Sequence, residues 1–297
     1  MARIKSFFLL FIISILALPS AVYAEESVSS PSAKRVVALT WSSAEALLAL
    51  GITPIGIADR QGYNDWVKEP QLPTNVVNVG TRAEPNLEKI HALQPDLIVS
   101  SSRRNVDLSS IVDAQVLTLD TFNAQHDNGQ AIDRHFLEIA KAVGKTETAK
   151  LVLKQRDAQI NTWKQKLEQH FADGIPKVTL VHFLNTTTAA VYGENSSVEY
   201  ALSKLGISPA IPTQNTAYGV THVPLKQLSS VGSQVLIYIR PFVEEQKLFS
   251  SVLWKHMPFV KQKHFLTIEP CWTFGSASSI ERIAKVTTNA LLAMDNQ

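Results

Sequence analysis

A repeated spacing of apolar residues constrains the fold of this chain more than any other feature. Each half places three apolar residues at offsets 0, 3 and 6 and then continues, after a polar residue at offset 9, into a β-rich run. The two copies are Leu87, Ile90, Leu93 and the run 97–99, and Leu225, Leu228, Val231 and the run 235–237. Apolar positions three residues apart suit one face of a short helix, and the β-rich run suits a buried strand. The spacing predicts the same helix–strand unit in both halves.

A second pair of segments supports the repeat. The segment RVVALTWSSAEALLALGITPIGIA indicates a strand, a loop, a helix, a glycine turn and a second strand. The segment KVTLVHFLN…SSVEYALSKLGISPAIP indicates the same order, and both contain Leu-Gly-Ile after the helix, at 50–52 and 205–207. Glycine at a helix C-terminus followed by a strand is typical of βαβ units. We therefore expect two α/β lobes that are built alike.

The segment between the lobes predicts a long connecting helix. Thr146 to Phe171 contains neither proline nor glycine, and its apolar residues are spread among many charges. A helix of this length spans ~39 Å, which is longer than a crossover helix needs. We predict an N-terminal lobe at 25–145, a connecting helix at 146–172 and a C-terminal lobe at 173–297. The alternative is a long surface helix of one large domain.

Two α/β lobes on a strut indicate a ligand cleft between them. Ligands of open α/β sheets bind in loops outside the carboxyl ends of the strands. In the repeat register, the loop that carries Arg82 precedes Leu87, and the loop that carries Tyr218 precedes Leu225. We expect Arg82 and Tyr218 to face each other across the cleft.

The N-terminus predicts export. Residues 1–24 combine an early Arg3 and Lys5, an apolar run from Phe7 to Leu18, and Val22-Tyr23-Ala24 before the expected cut. This pattern is typical of a secretory signal peptide. The alternative, a membrane anchor, needs a run that spans ~30 Å of hydrocarbon, and this run is too short.

Several function classes are not favoured by the sequence. The chain has no nucleophile elbow, no GxGxxG motif after the first strand and no P-loop, so an enzyme is not expected. Its eight histidines form no closely spaced pair, so we expect no metal site made of protein ligands. The histidines at 182 and 222 lie in segments that could reach the cleft.

The single cysteine, Cys271, excludes an intrachain disulfide and is expected to be a buried, unreactive thiol. The formal net charge of +2 and the absence of a basic stripe do not favour nucleic-acid binding.

Two stretches resemble a known family. NDWVKEPQLP…NVGTRAEPNLE resembles the N-terminal lobe of periplasmic ferric-hydroxamate (ferrichrome-type) siderophore-binding proteins, and LWKHMPFVKQKHFLTIEPCWTFGSASS resembles their C-terminal end. The resemblance implies a cluster-A (class III) periplasmic binding protein whose lobes move little. It implies a monomer in the periplasm that captures Fe(III)-siderophores and delivers them to an inner-membrane ABC permease. Catalysis and a resident cofactor are not implied.

The resemblance also implies roles for individual residues. Arg82 would donate hydrogen bonds to hydroxamate oxygens, and four aromatic residues would pack on the organic part of the ligand: Trp66, Tyr218, Trp272 and Phe274. Ser100 and Arg104 stand where the family has aromatic residues, which predicts a more cationic pocket and makes a citrate-hydroxamate plausible as ligand. Glu88 and Glu199 are the expected transporter-docking carboxylates.

Structural alternatives stay open for these residues. Arg82 could pair with Glu84 or Glu88, and Trp41 could lie in the cleft or in the core. Trp66 could cap the first core, Tyr218 could anchor its loop, and Trp272 and Phe274 could be core residues.

The sequence therefore predicts a receptor for Fe(III)-hydroxamate siderophores. The alternatives are a receptor for another bulky chelate, namely a catecholate or citrate-type siderophore, haem or cobalamin, and, less favoured, an exported enzyme.

Overall fold

A five-stranded parallel sheet forms the first lobe. The computed structural model describes residues 35–103 and 106–294, so the predicted signal peptide lies outside the described residues. The strands are β1 (Val36–Ala38), β2 (Gly56–Ile57), β3 (Val77–Asn78), β4 (Leu97–Ser101) and β5 (Gln115–Leu119). Their spatial order is β3-β2-β1-β4-β5, and every pairing is parallel. The carboxyl ends of all five strands therefore meet at one edge.

Helices flank this sheet and begin close to strand ends. They are α1 (Trp41–Ala49), α2 (Arg60–Gly62) with a π-helical turn (Tyr63–Val67), α3 (Leu87–Ala92) and α4 (Asn128–Ala142). Thr40 begins α1 by accepting a hydrogen bond from the Ser43 backbone N–H at 3.1 Å. Because Thr40 follows β1 so closely, the first turn of α1 lies at the carboxyl edge of the sheet.

One long helix links the lobes, as the sequence predicts. Helix α5 runs from Thr146 to His170, or 25 residues. At its middle, the buried Arg156 donates to both carboxylate oxygens of Asp133 on α4, at 2.5 and 2.8 Å. The hydroxyl of Tyr200, in the second lobe, donates to the same carboxylate at 2.8 Å. This network fixes α5 to elements on both sides.

A five-stranded mixed sheet forms the second lobe. Its strands are β6 (Val178–Phe183), β7 (Thr188–Tyr192), β8 (Val220–Pro224), β9 (Val235–Ile239) and β10 (Phe265–Ile268). The order is β10-β9-β6-β7-β8, and β7 runs antiparallel to both of its neighbours. The strand β9 lies beside the central β6 as β4 lies beside the central β1, so the two copies of the repeated spacing occupy equivalent places.

Short helices and one long C-terminal helix cover the second sheet. They are α6 (Ser197–Lys204), a 3-10 helix (Leu225–Val231), α7 (Glu245–Ser250), α8 (Val252–Lys255), α9 (Pro258–Lys261) and α10 (Ala277–Leu292). Helix α10 packs on α5 and α6 and also contacts α1 of the first lobe. Within residues 35–103 and 106–294, no helix has the length and apolar character needed to cross a membrane.

The structure confirms two α/β lobes joined by a long helix, but it corrects the prediction that they are built alike. Leu225–Val231 forms a 3-10 helix after Pro224, not an α-helix. The segment after the Leu-Gly-Ile at 205–207 forms no strand and makes only an isolated bridge between Val178 and Pro209. The reason is that the antiparallel strands β7 and β8 occupy the side of β6 where the second strand was expected.

Candidate functional site

Two adjoining cavities lie between the lobes. The first has a volume of about 350 Å³ and the second about 440 Å³. Four residues line both of them: Trp41, Arg82, Trp272 and Phe274. Trp41 and Arg82 belong to the N-terminal lobe, and Trp272 and Phe274 belong to the C-terminal lobe. These four residues lie at the boundary between the two cavities.

The first-lobe wall consists of residues at the carboxyl ends of parallel strands. Thr40, Trp41 and Ser42 follow β1, Arg82 follows β3, Ser100 and Ser101 end β4, and Thr121 and Phe122 follow β5. This is the edge where open parallel sheets bind ligands. Ser100, a predicted site residue, is 5% exposed and lines the first cavity.

Arg82 is held from two sides at the boundary of the cavities. Its guanidinium lies 3.6 Å from the centroid of the Trp41 ring, and its Nε donates to Asp59 Oδ2 at 3.2 Å. Trp41 is fixed in turn, because its indole N–H donates to the Asp59 backbone carbonyl at 2.9 Å. Asp59 is an acidic partner of Arg82 that the sequence did not suggest. A guanidinium held in this way presents donors in a fixed direction.

Hydrogen bonds of Asn86 fix the loop that carries Arg82. The Asn86 backbone N–H donates to the Val79 carbonyl at 2.7 Å, and the Asn86 side chain caps α3 through the Lys89 N–H. Gly80 has a φ of 102°, and a Cβ there would lie 2.9 Å from the Asn86 nitrogen. Only glycine fits this tight turn, which fixes the path of the chain through Arg82.

A second cation lies in the wall of the first cavity. Arg103 donates through Nε and Nη2 to the Phe122 carbonyl at 2.9 and 2.5 Å, and its guanidinium carbon lies 5.3 Å from the Tyr218 ring centroid. The predicted cation, Arg104, lies outside the described residues. Its neighbour Arg103 is the arginine that reaches across the cleft to Tyr218.

Five aromatic rings form a continuous wall across both lobes. Trp41 contacts Trp272 with ring centroids 4.6 Å apart, and Trp272 contacts Phe274 at 5.4 Å. Phe274 contacts Phe122 at 5.6 Å, and Phe122 stacks on Tyr218 at 5.7 Å. Such contacts hold the rings in fixed orientations and offer a flat apolar surface to a ligand.

The second cavity is lined by one face of the mixed sheet. His182, Ala190 and His222 are direct cross-strand partners on β6, β7 and β8, and all three line this cavity. Tyr192 lines it as well, and the Tyr192 hydroxyl lies 2.7 Å from His182 Nδ1. Burial lowers the pKa of His182 to about 4, so its imidazole is neutral at physiological pH.

The comparisons with known proteins identify the family. The model of the "Periplasmic binding protein" family matches residues 36–270. The chain belongs to this family. It is 30% identical over 265 residues to the iron(3+)-hydroxamate-binding protein FhuD of Escherichia coli (strain K12), covering 86% of both chains. It is also 30% identical over 266 residues to the Fe(3+)-citrate-binding protein YfmC of Bacillus subtilis (strain 168), covering 86% of this chain and 80% of that protein.

A similar solved structure supports the fold and the cluster-A architecture. The Fe3+-Desferal-bound siderophore-binding protein FhuD of Vibrio cholerae superposes with a TM-score of 0.84 at 37% identity, covering 88% of this chain and 98% of that chain. These named relatives are binding proteins.

The structure brings most of the predicted site residues of this periplasmic binding protein together. Arg82, Ser100, Tyr218, Trp272 and Phe274 line the first cavity. Trp66 lines the second cavity and is 36% exposed, with its ring 6.4 Å from the His182 ring. Their roles in ligand binding remain predictions.

The two predicted docking carboxylates lie outside both cavities. Glu88 is exposed in the first turn of α3. Glu199 is half-buried in the first turn of α6, and burial raises its pKa, with Asp127 and Glu194 adding to the effect.

The only cysteine of the sequence, Cys271, is buried. Burial raises the pKa of its thiol to about 12, so this thiol is protonated.

Sequence reasoning missed several residues in the walls. These are Phe122, Arg103 and Tyr192, and Trp41 was left between core and cleft. Trp41 and Phe122 each lie three residues after the end of a strand, β1 and β5, and this short distance is a usable signal for the carboxyl edge of the sheet. In the described part of the chain, no group of three or more His, Cys, Asp or Glu side chains is placed to hold a metal ion.

Proposed function

We propose that this chain is a receptor for Fe(III)-hydroxamate siderophores. The observation that carries the proposal is the placement of Arg82. It stacks on Trp41, is paired with Asp59, and lies where an aromatic wall and both cavities meet. A ligand that offers several oxygen acceptors and bulky organic arms fits this combination of a fixed cation and flat rings.

The chemistry of a ferric siderophore matches these residues. Its own oxygens fill the six coordination positions of the iron, so the protein needs hydrogen-bond donors and apolar surface rather than metal ligands. A planar guanidinium can donate to two chelating oxygens at once. A charge-assisted hydrogen bond contributes ~1.5–3 kcal/mol, so we expect the loss of Arg82 to weaken binding roughly ten- to hundred-fold.

The hydroxamate class is supported by the named relatives. The Escherichia coli relative is named for iron(3+)-hydroxamate binding, and the Vibrio cholerae structure contains Fe3+-Desferal. Both cover most of this chain, and the second is 37% identical to it.

The proposal includes a cellular role. The predicted signal peptide places the receptor in the periplasm, and the receptor delivers its cargo to an inner-membrane ABC permease without catalysis. Glu88 and Glu199 stand on different lobes and act as the docking carboxylates for basic pockets of the permease. The receptor works as a monomer, since one chain supplies both walls of the cleft.

A citrate-type ferric chelate is the second candidate. Arg103 adds a cation to the wall of the first cavity, and one relative that covers most of the chain is named for Fe(3+)-citrate binding. Free carboxylates on such a ligand would pair with Arg103 in addition to Arg82.

Titration of tryptophan fluorescence with a ligand panel tests the proposal. The panel contains Fe(III)–desferrioxamine B, ferrichrome, ferric citrate, a ferric catecholate, haem and cobalamin. We expect quenching by the two hydroxamates at the lowest concentrations. We also expect Arg82→Ala to weaken this binding, whereas Arg134→Ala, which changes an exposed arginine of α4 outside both cavities, leaves it unchanged. Tight binding of a catecholate, haem or cobalamin without hydroxamate binding would overturn the proposal.

A further inference from the structure

A chain of hydrogen bonds ends on a histidine in the wall of the second cavity. The Thr273 hydroxyl donates to the Tyr192 oxygen at 3.1 Å. Burial raises the pKa of Tyr192, so its single proton stays in place. Since the Tyr192 oxygen already accepts from Thr273, its proton is directed to the other partner, His182 Nδ1, at 2.7 Å. Thr273 and Tyr192 therefore act as a relay that makes His182 Nδ1 an acceptor.

This relay determines the tautomer of His182. A neutral imidazole whose Nδ1 accepts a hydrogen bond carries its proton on Nε2. His182 Nε2 is shielded from solvent and has no hydrogen-bond partner among the described residues. A buried N–H without an acceptor is unfavourable, so a ligand that supplies an acceptor gains affinity there.

The surroundings indicate what kind of acceptor fits. Of the described side chains that line the second cavity, only Arg82 carries a permanent charge, and most of the others are apolar or aromatic. Burying a carboxylate in such surroundings is costly, whereas a neutral carbonyl needs only one good donor. Trp272 Nε1 is a second buried donor on this wall without a described partner.

Trp66 is a neighbour of His182 in the second cavity. The two rings meet edge-on with centroids 6.4 Å apart, and Trp66 is 36% exposed. The iron-binding oxygens are expected near Arg82, which lines both cavities. An organic arm that extends from there into the second cavity reaches the His182 side of the sheet.

We propose that His182 is a specificity-determining residue whose Nε2–H donates to a neutral amide carbonyl in an organic arm of the bound chelate. The inference rests on the proposed function and adds to it a subsite for the arm, separate from the contacts with the iron-bound oxygens. The receptor thereby distinguishes chelates that carry amide arms from those that lack them.

A pair of variants and a pair of ligands test the subsite. Fe(III)–desferrioxamine B carries amide groups in its arms, and the ferric complex of three acetohydroxamates carries none. His182→Phe keeps a flat ring and removes the donor, and His182→Gln offers a side-chain N–H at a similar distance from the backbone. Because one hydrogen bond is at stake, we expect His182→Phe to weaken binding of Fe(III)–desferrioxamine B roughly five- to ten-fold. We expect His182→Gln to restore most of the loss, and neither variant to change acetohydroxamate binding more than about two-fold.

The outcomes separate the two proposals. If the wild type binds neither ligand, the proposed function and the subsite both fail. If it binds both and His182→Phe has no effect, or weakens both equally, only the subsite fails.

Nitrogen NMR of the unloaded protein provides a readout that does not depend on affinity. Long-range proton–nitrogen spectra should show His182 protonated on Nε2, and Tyr192→Phe should produce a mixture of tautomers because it removes the donor to Nδ1. Addition of the diamagnetic Ga(III)–desferrioxamine B should shift the His182 Nε2–H resonance downfield. A wild-type spectrum with the proton on Nδ1, or no shift of Nε2–H on saturation, would overturn the assignment.

Discussion

The carboxylate of Glu45 joins the first helix of the N-terminal lobe to the last helix of the chain, through Ser279. Glu45 accepts hydrogen bonds from the Ser279 backbone N–H at 2.6 Å and from the Ser279 hydroxyl at 2.7 Å, although the two residues lie 234 positions apart. Glu45 is completely buried. Gly275 makes the approach possible, since a Cβ there would lie 2.5 Å from a Glu45 oxygen. This contact is a polar tie between the lobes.

Glu45 should make the stability of the protein depend on pH. Burial raises its pKa to about 7 from the ordinary 4.5, although hydrogen bonds from Ser279 oppose the shift. The folded state therefore holds the proton more tightly, so the contribution of Glu45 is full below pH ~4.5 and is lost as the pH rises through about 7. The shift corresponds to about 3 kcal/mol. Burial raises the pKa of the neighbouring Tyr63, and the Glu45 carboxylate adds to that shift.

Glu45→Gln tests this prediction because glutamine imitates the protonated acid at every pH. We expect the free energy of unfolding of the variant, relative to wild type, to rise by about 3 kcal/mol between pH 4.5 and 7.5 in urea titrations. Glu147→Gln, which changes an exposed glutamate of α5, should show a flat difference. A flat or falling difference for Glu45→Gln would contradict the prediction.

Asn128 forms a second polar tie, between α4 and the second lobe. Its backbone N–H donates to Asn195 Oδ1 at 2.8 Å, and its side-chain amide donates to the carbonyls of Asn195 and Ala217 at 2.8 and 2.9 Å. Asn128→Ala would remove the side-chain donor to these two partly buried carbonyls, so we expect a loss of about 2–4 kcal/mol in the free energy of unfolding. Asn289→Ala, at an exposed position of α10, should change it by less than ~0.5 kcal/mol. Similar values for both variants in chemical denaturation would show that Asn128 does not tie the lobes.

Asp59 should matter for ligand binding although it is not expected to touch the ligand. It has a φ of 57° and caps α2 by accepting from the Gly62 N–H, and asparagine tolerates both conditions. Asp59→Asn therefore keeps the backbone and removes the charge that orients Arg82. We expect binding of Fe(III)–desferrioxamine B to weaken roughly three- to ten-fold, measured by fluorescence titration, with little change in stability.

Glu84→Gln is the matched control for Asp59→Asn, because Glu84 is an exposed carboxylate in the same loop as Arg82. It should bind like wild type. Equal weakening by both variants would indicate a general effect of negative charge rather than the positioning of Arg82.

Arg103 should separate anionic from uncharged chelates. Its guanidinium lies over Tyr218 in the first cavity, and its side chain is 38% exposed. We expect Arg103→Gln to weaken binding of a citrate-hydroxamate chelate roughly five- to ten-fold and that of ferrichrome less than about two-fold. Because the residue is partly exposed, the difference should shrink in 0.5 M salt. Equal losses for both chelates, or a loss matched by Arg134→Gln, would contradict this role.

The spacing and composition of short segments were enough to predict the strands β4 and β9 and the long helix α5. The runs at 97–99 and 235–237 became β4 and β9 beside the central strands, and the segment without proline or glycine became α5. The antiparallel pairing of β7 with β6 and β8 was not predicted, because it depends on which strands meet in the fold rather than on the composition of β7 itself. The edge of a sheet is decided by tertiary pairing.

The sequence also predicted some residues of the candidate site, but not the contacts between them. Arg82 and Tyr218 were found from the repeat register and the resemblance. The pairing of Arg82 with Asp59 was not, since it requires a left-handed backbone conformation at Asp59 and a contact across 23 positions. The chain from Thr273 to His182 joins three segments that only the folded sheet brings together.

The strand β7 of the second sheet has a consequence for how such a receptor changes its ligand over evolutionary time. Neighbouring residues on β7 point to opposite faces, so Ala190 faces the second cavity while Val191 packs in the interior of the lobe. Every second position can therefore mutate towards a new cargo while the intervening positions preserve the scaffold. Selection can retune what the receptor carries without rebuilding the protein that carries it.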